Sequence, residues 1–230
     1  MGSASFDPQV AEQAKHSIVT FGRRLVVDRL AVGTAGNLSV RVGDVVAISP
    51  SSLSYGAIES QDICLVDFEG TKIEGRGAVS SEWPMHSSIY RSTNAQAIVH
   101  THSPEVVALS TTCSELPAIH YAIAGLGGPV RVVGYTRFGS DFLAEGASTA
   151  LSSRFAAILQ NHGAITYGDT MAQAYDRALL LEWLAEVYRL ALQYGPPRIL
   201  SEEELMEVSK EVARRRYGGL SSQPTQPTQP

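Results

Sequence analysis

The sequence predicts a single α/β domain in which helices pack in layers against a sheet. Segments of strand and helix periodicity are mixed along the whole chain, with no composition break to mark an internal boundary. The 230 residues are 44% hydrophobic, enough to bury one sizeable core. The domain is placed at residues 1–220. Residues 221–230, a Ser-Gln-Pro-Thr repeat, are expected to form a disordered tail.

The elements follow in order. Asp7-Pro8 opens an amphipathic helix over 7–31, with Asp at the cap, Pro in the first turn, and Val10, Ala14, Ile18, Phe21, Leu25 and Val26 on one stripe. Gly33-Thr34-Ala35-Gly36-Asn37 is a glycine-rich turn that ends it. Residues 38–42 and 45–49 alternate as two strands joined at Gly43-Asp44, and 63–67 read as a third strand. A serine-rich loop spans 49–55. Ser80-Ser81-Glu82 starts a helix running to about Arg91. Residues 97–100 form a strand, and 103–111 a helix behind Ser103-Pro104. Strands at 129–135 and 156–160 flank a helix at 140–151. A long Ala/Leu-rich helix covers 170–194 and stops at Gly195-Pro196-Pro197; a last helix covers 201–216.

Charge and cysteine usage exclude several classes of function. A net charge of −5 disfavours nucleic-acid binding, which needs a basic surface. No stretch reaches the roughly 20 apolar residues of a membrane span, and the N-terminus lacks a signal-type apolar run. Cys64 and Cys113 form no C-x-x-C pair or disulfide framework, so a cytoplasmic location is expected, with both thiols as small buried residues.

Three features carry chemistry. His100 and His102 stand i, i+2 at the end of an apolar strand, so both imidazoles face one way. His162, in Asn161-His162-Gly163, offers a third. Three neutral imidazoles leave an open coordination position on a metal; the alternative is a polar strand end. Glu82 is either an acid/base beside that metal or the cap of its own helix. Thr34 and Asn37, Ser51 and Ser52, and Ser80 and Ser81 place small donors in three turns. Together they suit a phosphate; singly they are ordinary turn residues. His16 is expected on the solvent face of the first helix, and His86 and His120 in structural roles. Lys15, Lys72 and Lys210 are expected to be solvent-exposed, which argues against a Schiff-base lysine.

Gly33–Arg41 (GTAGNLSVR), Ile48-Ser49-Pro50, Ser80-Ser81-Glu82-Trp83, His100-Thr101-His102, Pro117-Ala118-Ile119-His120-Tyr121 and His162-Gly163 occur in this order in the class II aldolase/adducin family, which the chain resembles over residues 8–220. The resemblance implies a central, mainly antiparallel sheet flanked by helices in three layers, in place of an open parallel one. It implies one Zn²⁺ per subunit, or another divalent transition metal, on His100, His102 and His162, with Glu82 as catalytic acid/base able to approach the metal. It implies phosphate binding by Thr34, Asn37, Ser51, Ser52, Ser80 and Ser81, and an aldehyde side lined by Phe138. Tyr121, reaching a neighbouring subunit, and the C-terminal Tyr217 would act on the aldehyde. A homotetramer with active sites at subunit interfaces is implied as well.

The implied reaction is cleavage of a ketose 1-phosphate, with L-fuculose 1-phosphate as the expected substrate, to dihydroxyacetone phosphate and L-lactaldehyde. Sibling dehydratases, decarboxylases and 4-epimerases share the metal frame; the epimerases carry Asp where this chain has Glu82. Adducin-type interaction modules lack the metal ligands, and all three histidines are present here. The family's phosphate loop has Thr-Gly after the proline, whereas this chain has Ser51-Ser52. Glycine permits positive φ or a close approach to phosphate; serine restricts both and adds a hydroxyl.

Overall fold

The computed structural model describes residues 5–218, with backbone only for 216–218. The tail expected at 221–230 and the side chain of Tyr217 lie outside the described residues. Helix α1 spans Pro8–Val27 and is capped by Asp7, whose carboxylate accepts from the Gln9 amide at 2.8 Å. It ends earlier than the sequence suggests because Arg29 takes a left-handed conformation (φ 58°), which turns the chain before Gly33. The buried stripe is Ala11, Ala14, Lys15, Ile18, Val19, Gly22 and Leu25. Val10 and Val26, expected on that stripe, are exposed.

Among the described residues nine strands form one sheet. They are β1 (Asn37–Val42), β2 (Val45–Ile48), β3 (Cys64–Asp67), β4 (Lys72–Glu74), β5 (Ala97–Thr101), β6 (Glu115–Leu116), β7 (Val130–Val133), β8 (Ala156–Leu159) and β9 (Gly163–Gly168). Their order is β4-β3-β2-β1-β5-β9-β8-β7-β6. Every neighbouring pair is antiparallel except β7 and β8, which run parallel. The sheet is thus mainly antiparallel. The remaining helices are α2 (Trp83–Ser92), α3 (Pro104–Ser110), α4 (Asp141–Ala150), α5 (Met171–Tyr194) and α6 (Glu202–Gly218).

Strand alternation separates the two faces. Leu38, Ala47, Leu65, Ala97 and Val99 pack with α1 and the start of α5, while Ala156, Ile158 and Ala164 pack with α3 and the middle of α5. Val46, Ile48, Cys64, Ile98, Leu159 and Ile165 face the other way, against α2 and α4. This gives three layers, helices–sheet–helices. Each of the fully buried Leu and Ile side chains contributes roughly 1.5–3 kcal/mol by leaving water. Ile98, Val99, Ile158, Leu159 and Ile165 are all fully buried, so β5, β9 and β8 form the rigid centre of the molecule.

Three strands escape a reading of the sequence. β4 and β6 are two- or three-residue edge strands. β9 is central, but it begins at the glycine after His162 and is buried along its whole length, so it shows no alternation. Lys15 is also corrected: it is buried, not solvent-exposed. Its ammonium contacts Glu12 at 2.7 Å and Glu74 at 2.8 Å, the pairing a buried cation requires. His16 is exposed, as expected.

Candidate metal centre

β5 ends at the floor of a pocket. The Ile98 face of this strand looks toward α2, so His100 and His102 point the same way. β1 and β9 pair with β5 on either side, at Asn37↔His100 and His100↔Ile165. The His102 amide donates to the Leu30 carbonyl at 2.9 Å, which anchors the strand end to the segment after α1. His162 sits in the short β8–β9 connection behind Asn161, whose φ of 55° makes the tight reversal. Gly163 is required there, since a Cβ would lie 2.0 Å from the Thr101 carbonyl oxygen. Gly36 is required for a similar reason: its φ is +78° and a Cβ would lie 2.7 Å from the His100 carbonyl oxygen.

The three imidazoles form a near-equilateral cluster. Ring centroids are 4.8 Å apart for His100–His102, and 4.9 Å for His100–His162 and for His102–His162. Nδ1 of His100 donates to the Ala164 carbonyl at 2.9 Å, which turns its Nε2 into the cluster. Glu82 stands at the N-cap of α2 but makes no side-chain cap hydrogen bond. Its carboxylate lies 2.8 Å from His100 Nε2 and 3.3 Å from His162 Nε2. The four donor groups lie within 4.8 Å of one another. Oε1 of Glu82 is buried and, among the described residues, lacks a hydrogen-bond partner. Three imidazoles and one carboxylate, whose buried Oε1 is unsatisfied, are a donor set that fits a divalent transition metal.

Electrostatics agree with this reading. Burial alone would raise the Glu82 carboxyl, but the charges of His100 and His162 and hydrogen bonds from His100 and Asn37 hold it well below the usual carboxylate range. Burial works to lower His100, yet the Glu82 charge and hydrogen bond and the Ala164 carbonyl raise it. Burial, then the charge on His100, push His102 down to about 3 and His162 down to about 4, so both are neutral and able to ligate at neutral pH.

Above this floor lies a pocket of about 310 Å³. Thr34, Asn37, Ser51, Ser52, Ser80, Ser81, Glu82, His102, Phe138 and His162 line it, so three sequence-distant turns converge beside the histidines. The loops are tied together: Ser51 Oγ donates to the Val79 carbonyl at 3.2 Å and accepts from the Ser81 amide at 3.1 Å. Ser52 adopts φ 60°, the conformation for which glycine is the easier residue, and lines the pocket. The start of α2 adds a field that favours an anion. This is the convergence a phosphate site needs.

The sequence profile of the Class II Aldolase and Adducin N-terminal domain matches residues 16–189. The chain belongs to the class II aldolase and adducin family. This family member is similar to the 5-deoxy-D-ribulose 1-phosphate aldolase of Bacillus thuringiensis serovar kurstaki, at 35% identity over 86% of this chain and 95% of the relative. It is 36% identical to the 5-methylthioribulose-1-phosphate/5-deoxyribulose-1-phosphate aldolase of Rhodospirillum rubrum, over 93% of this chain and 96% of that one. A solved structure named L-fuculose 1-phosphate aldolase superposes with a TM-score of 0.86 at 33% identity, covering 92% of this chain and all 100% of the other.

Within this class II aldolase-family chain, one expected residue, Tyr121, does not line the chain's own pocket. Tyr121 is exposed and stacks on His120, with ring centroids 4.4 Å apart; His120 in turn meets Trp183 at 5.0 Å. Tyr217 has no described side chain. The pocket also takes residues that reading the sequence missed. Tyr135, Thr136 and Asn161 line it. Asn161 carried a usable signal, an Asn before His-Gly suited to left-handed backbone. Tyr135 and Thr136 carried none. Among the described residues no helix is long and apolar enough to cross a membrane.

Proposed function

We propose that this chain is a divalent-metal-dependent aldolase that cleaves a ketose 1-phosphate, L-fuculose 1-phosphate first among those to test, into dihydroxyacetone phosphate and an aldehyde. The observation that carries the proposal is the Glu82 carboxylate 2.8 Å from His100, inside a three-histidine cluster and under a pocket lined by serine, threonine and asparagine residues. His100, His102 and His162 would hold the metal, proposed to be zinc, which when bound supplies electrophilic polarisation of the substrate carbonyl. Thr34, Asn37, Ser51, Ser52, Ser80 and Ser81 hold the phosphate. As the C3–C4 bond breaks, the C4 hydroxyl loses its proton and becomes the aldehyde. Glu82 takes up a proton from solvent and delivers it to C3 of the three-carbon fragment. The C4 hydroxyl proton leaves to solvent through a tyrosine, Tyr217 or Tyr121, which releases its own phenolic proton as it accepts. Tyr121, exposed and away from its own pocket, would serve the pocket of a neighbouring copy in a homotetramer. A cytoplasmic location fits this chemistry on a small sugar phosphate.

The relatives' substrates share one half with this proposal. 5-Deoxyribulose 1-phosphate, 5-methylthioribulose 1-phosphate and L-fuculose 1-phosphate all yield dihydroxyacetone phosphate, and differ in the aldehyde. Selectivity among them therefore falls to the aldehyde wall, where Tyr135, Thr136 and Phe138 stand. An enzyme-coupled assay for dihydroxyacetone phosphate, run with these three ketose phosphates, tests the reading. Release from at least one, with about one zinc per chain that His102→Ala loses, is the expected result. Conversion without triose phosphate release would indicate an epimerase, dehydratase or decarboxylase instead. No turnover by metal-loaded protein would sink the proposal.

A further inference from the structure

His86 is fully buried on the inner face of α2, beneath the pocket. Both ring nitrogens have side-chain partners. Nδ1 lies 2.7 Å from Ser39 Oγ, and Nε2 contacts Asn37 Oδ1. Ser39 Oγ lies 2.8 Å from the Tyr90 hydroxyl. At the other end, Asn37 Nδ2 donates to Glu82 Oε2 at 3.0 Å. Five buried side chains thus form one chain from the core to the carboxylate: Tyr90, Ser39, His86, Asn37 and Glu82.

The chain has one direction. An amide oxygen only accepts, so the hydrogen between His86 and Asn37 sits on Nε2. A neutral imidazole carries one hydrogen, so Nδ1 accepts from the Ser39 hydroxyl, which in turn accepts from Tyr90. Burial, then the charge on His100, push His86 down to about 3, so the ring is neutral at ordinary pH. The reverse direction needs the Asn37 amide turned over. Its oxygen would then face the Glu82 carboxylate with no hydrogen between them. Asn37 lines the pocket, so the turned amide would present an acceptor where the proposed substrate is anionic.

We propose that His86 is a positioning residue: by donating from Nε2 to Asn37 Oδ1, it fixes the Asn37 amide so that Nδ2–H faces Glu82 and the pocket. The proposal rests on the reading of Glu82 as acid/base and goes beyond it by adding a residue that touches neither metal nor substrate. Its test uses two shortened side chains. In His86→Gln, the terminal amide reaches the position of Nε2 and can still donate to Asn37. In His86→Asn, the side chain reaches only the Nδ1 position beside Ser39.

Both variants are made in the full-length protein and compared for thermal stability, zinc content, kcat and KM. The Asn37 side-chain amide resonances are assigned by their loss in Asn37→Ala. The expected result is a loss of about 10–100-fold in kcat/KM for His86→Asn, largely recovered in His86→Gln, at equal zinc content. The Asn37 amide signals shift and broaden in His86→Asn and return in His86→Gln. In the double variant His86→Asn/Asn37→Ala the losses do not add, because one residue acts through the other. Equal impairment of the Gln and Asn variants, additive losses, or unchanged Asn37 signals would overturn the proposal. The Asn37 signals need no substrate. If the wild-type protein releases no triose phosphate, the functional reading fails while the role of His86 is still decided.

Discussion

The floor and the rim of the pocket are built in opposite ways. At the floor, Asn37, Glu82, His86 and His100 are buried and linked to one another or to backbone. At the rim, Tyr135 is 66% exposed and Phe138 61%. The floor hangs from central strands hydrogen-bonded on both sides. The rim residues Tyr135, Thr136 and Phe138 lie in the single connection between β7 and α4. A fixed floor suits the part of the chemistry common to several substrates. An open, loop-borne rim suits the part that differs.

The largest expected effect breaks the floor directly. Glu82→Gln removes the proposed acid/base and should cut kcat by about 10²–10⁴-fold, measured by triose phosphate release, with the metal retained. Gly163→Ala attacks the floor through the backbone. Its Cβ would meet the Thr101 carbonyl at 2.0 Å, so β9 must move from β5 and carry His162 with it. A stability loss of about 1–3 kcal/mol and weaker zinc binding are expected, read by denaturant unfolding and metal competition. A Gly163→Ala protein as stable as wild type would show that the floor is less rigid than described.

The third effect is on stability against pH in metal-free protein. His86, His102 and His162 are held at about 3, about 3 and about 4, below their ordinary value of 6.5. Unfolding frees them to bind protons. Their contribution is complete above 6.5 and is lost as pH falls toward 4, so the melting temperature should drop across that window. Zinc should flatten the drop by holding His102 and His162 neutral. A melting temperature flat over the same window would contradict the buried, neutral placement of these rings. The smallest effect sharpens the rim. Phe138→Ala should change kcat/KM by no more than about 10–200-fold, unequally among the three ketose phosphates, with zinc content and melting temperature unchanged.

Much of this floor was legible in the sequence, for local reasons. His100 and His102 share a strand, so their spacing alone puts both on one face. Ser80-Ser81-Glu82 announces a helix start. What joins them was not legible, because it depends on pairing across the sheet. Nothing in the sequence near Asn37 says that it lies opposite His100, or that α2 crosses above both. β9 was hidden for a related reason: a strand buried on both faces shows no alternation, and its first residue reads as part of a turn. Lys15 escapes a local reading because, of its two partners, Glu74 comes from β4, far along the chain. The rim was the least visible, since exposed residues in a connection carry no periodicity.

The parallel pairing of β7 and β8 has a consequence for how this molecule can change. Parallel neighbours cannot be joined by a tight hairpin, so the chain must leave the sheet at Val133, travel through α4 and return at Ala156. That detour carries Tyr135, Thr136 and Phe138 at its start. Residues can be inserted or exchanged there without shifting the register of any strand, because no ladder passes through it. The same edit between β8 and β9 would displace His162. Evolution, or a designer, therefore has a splice site there at which to reshape the pocket's rim while the histidine strands stay in place.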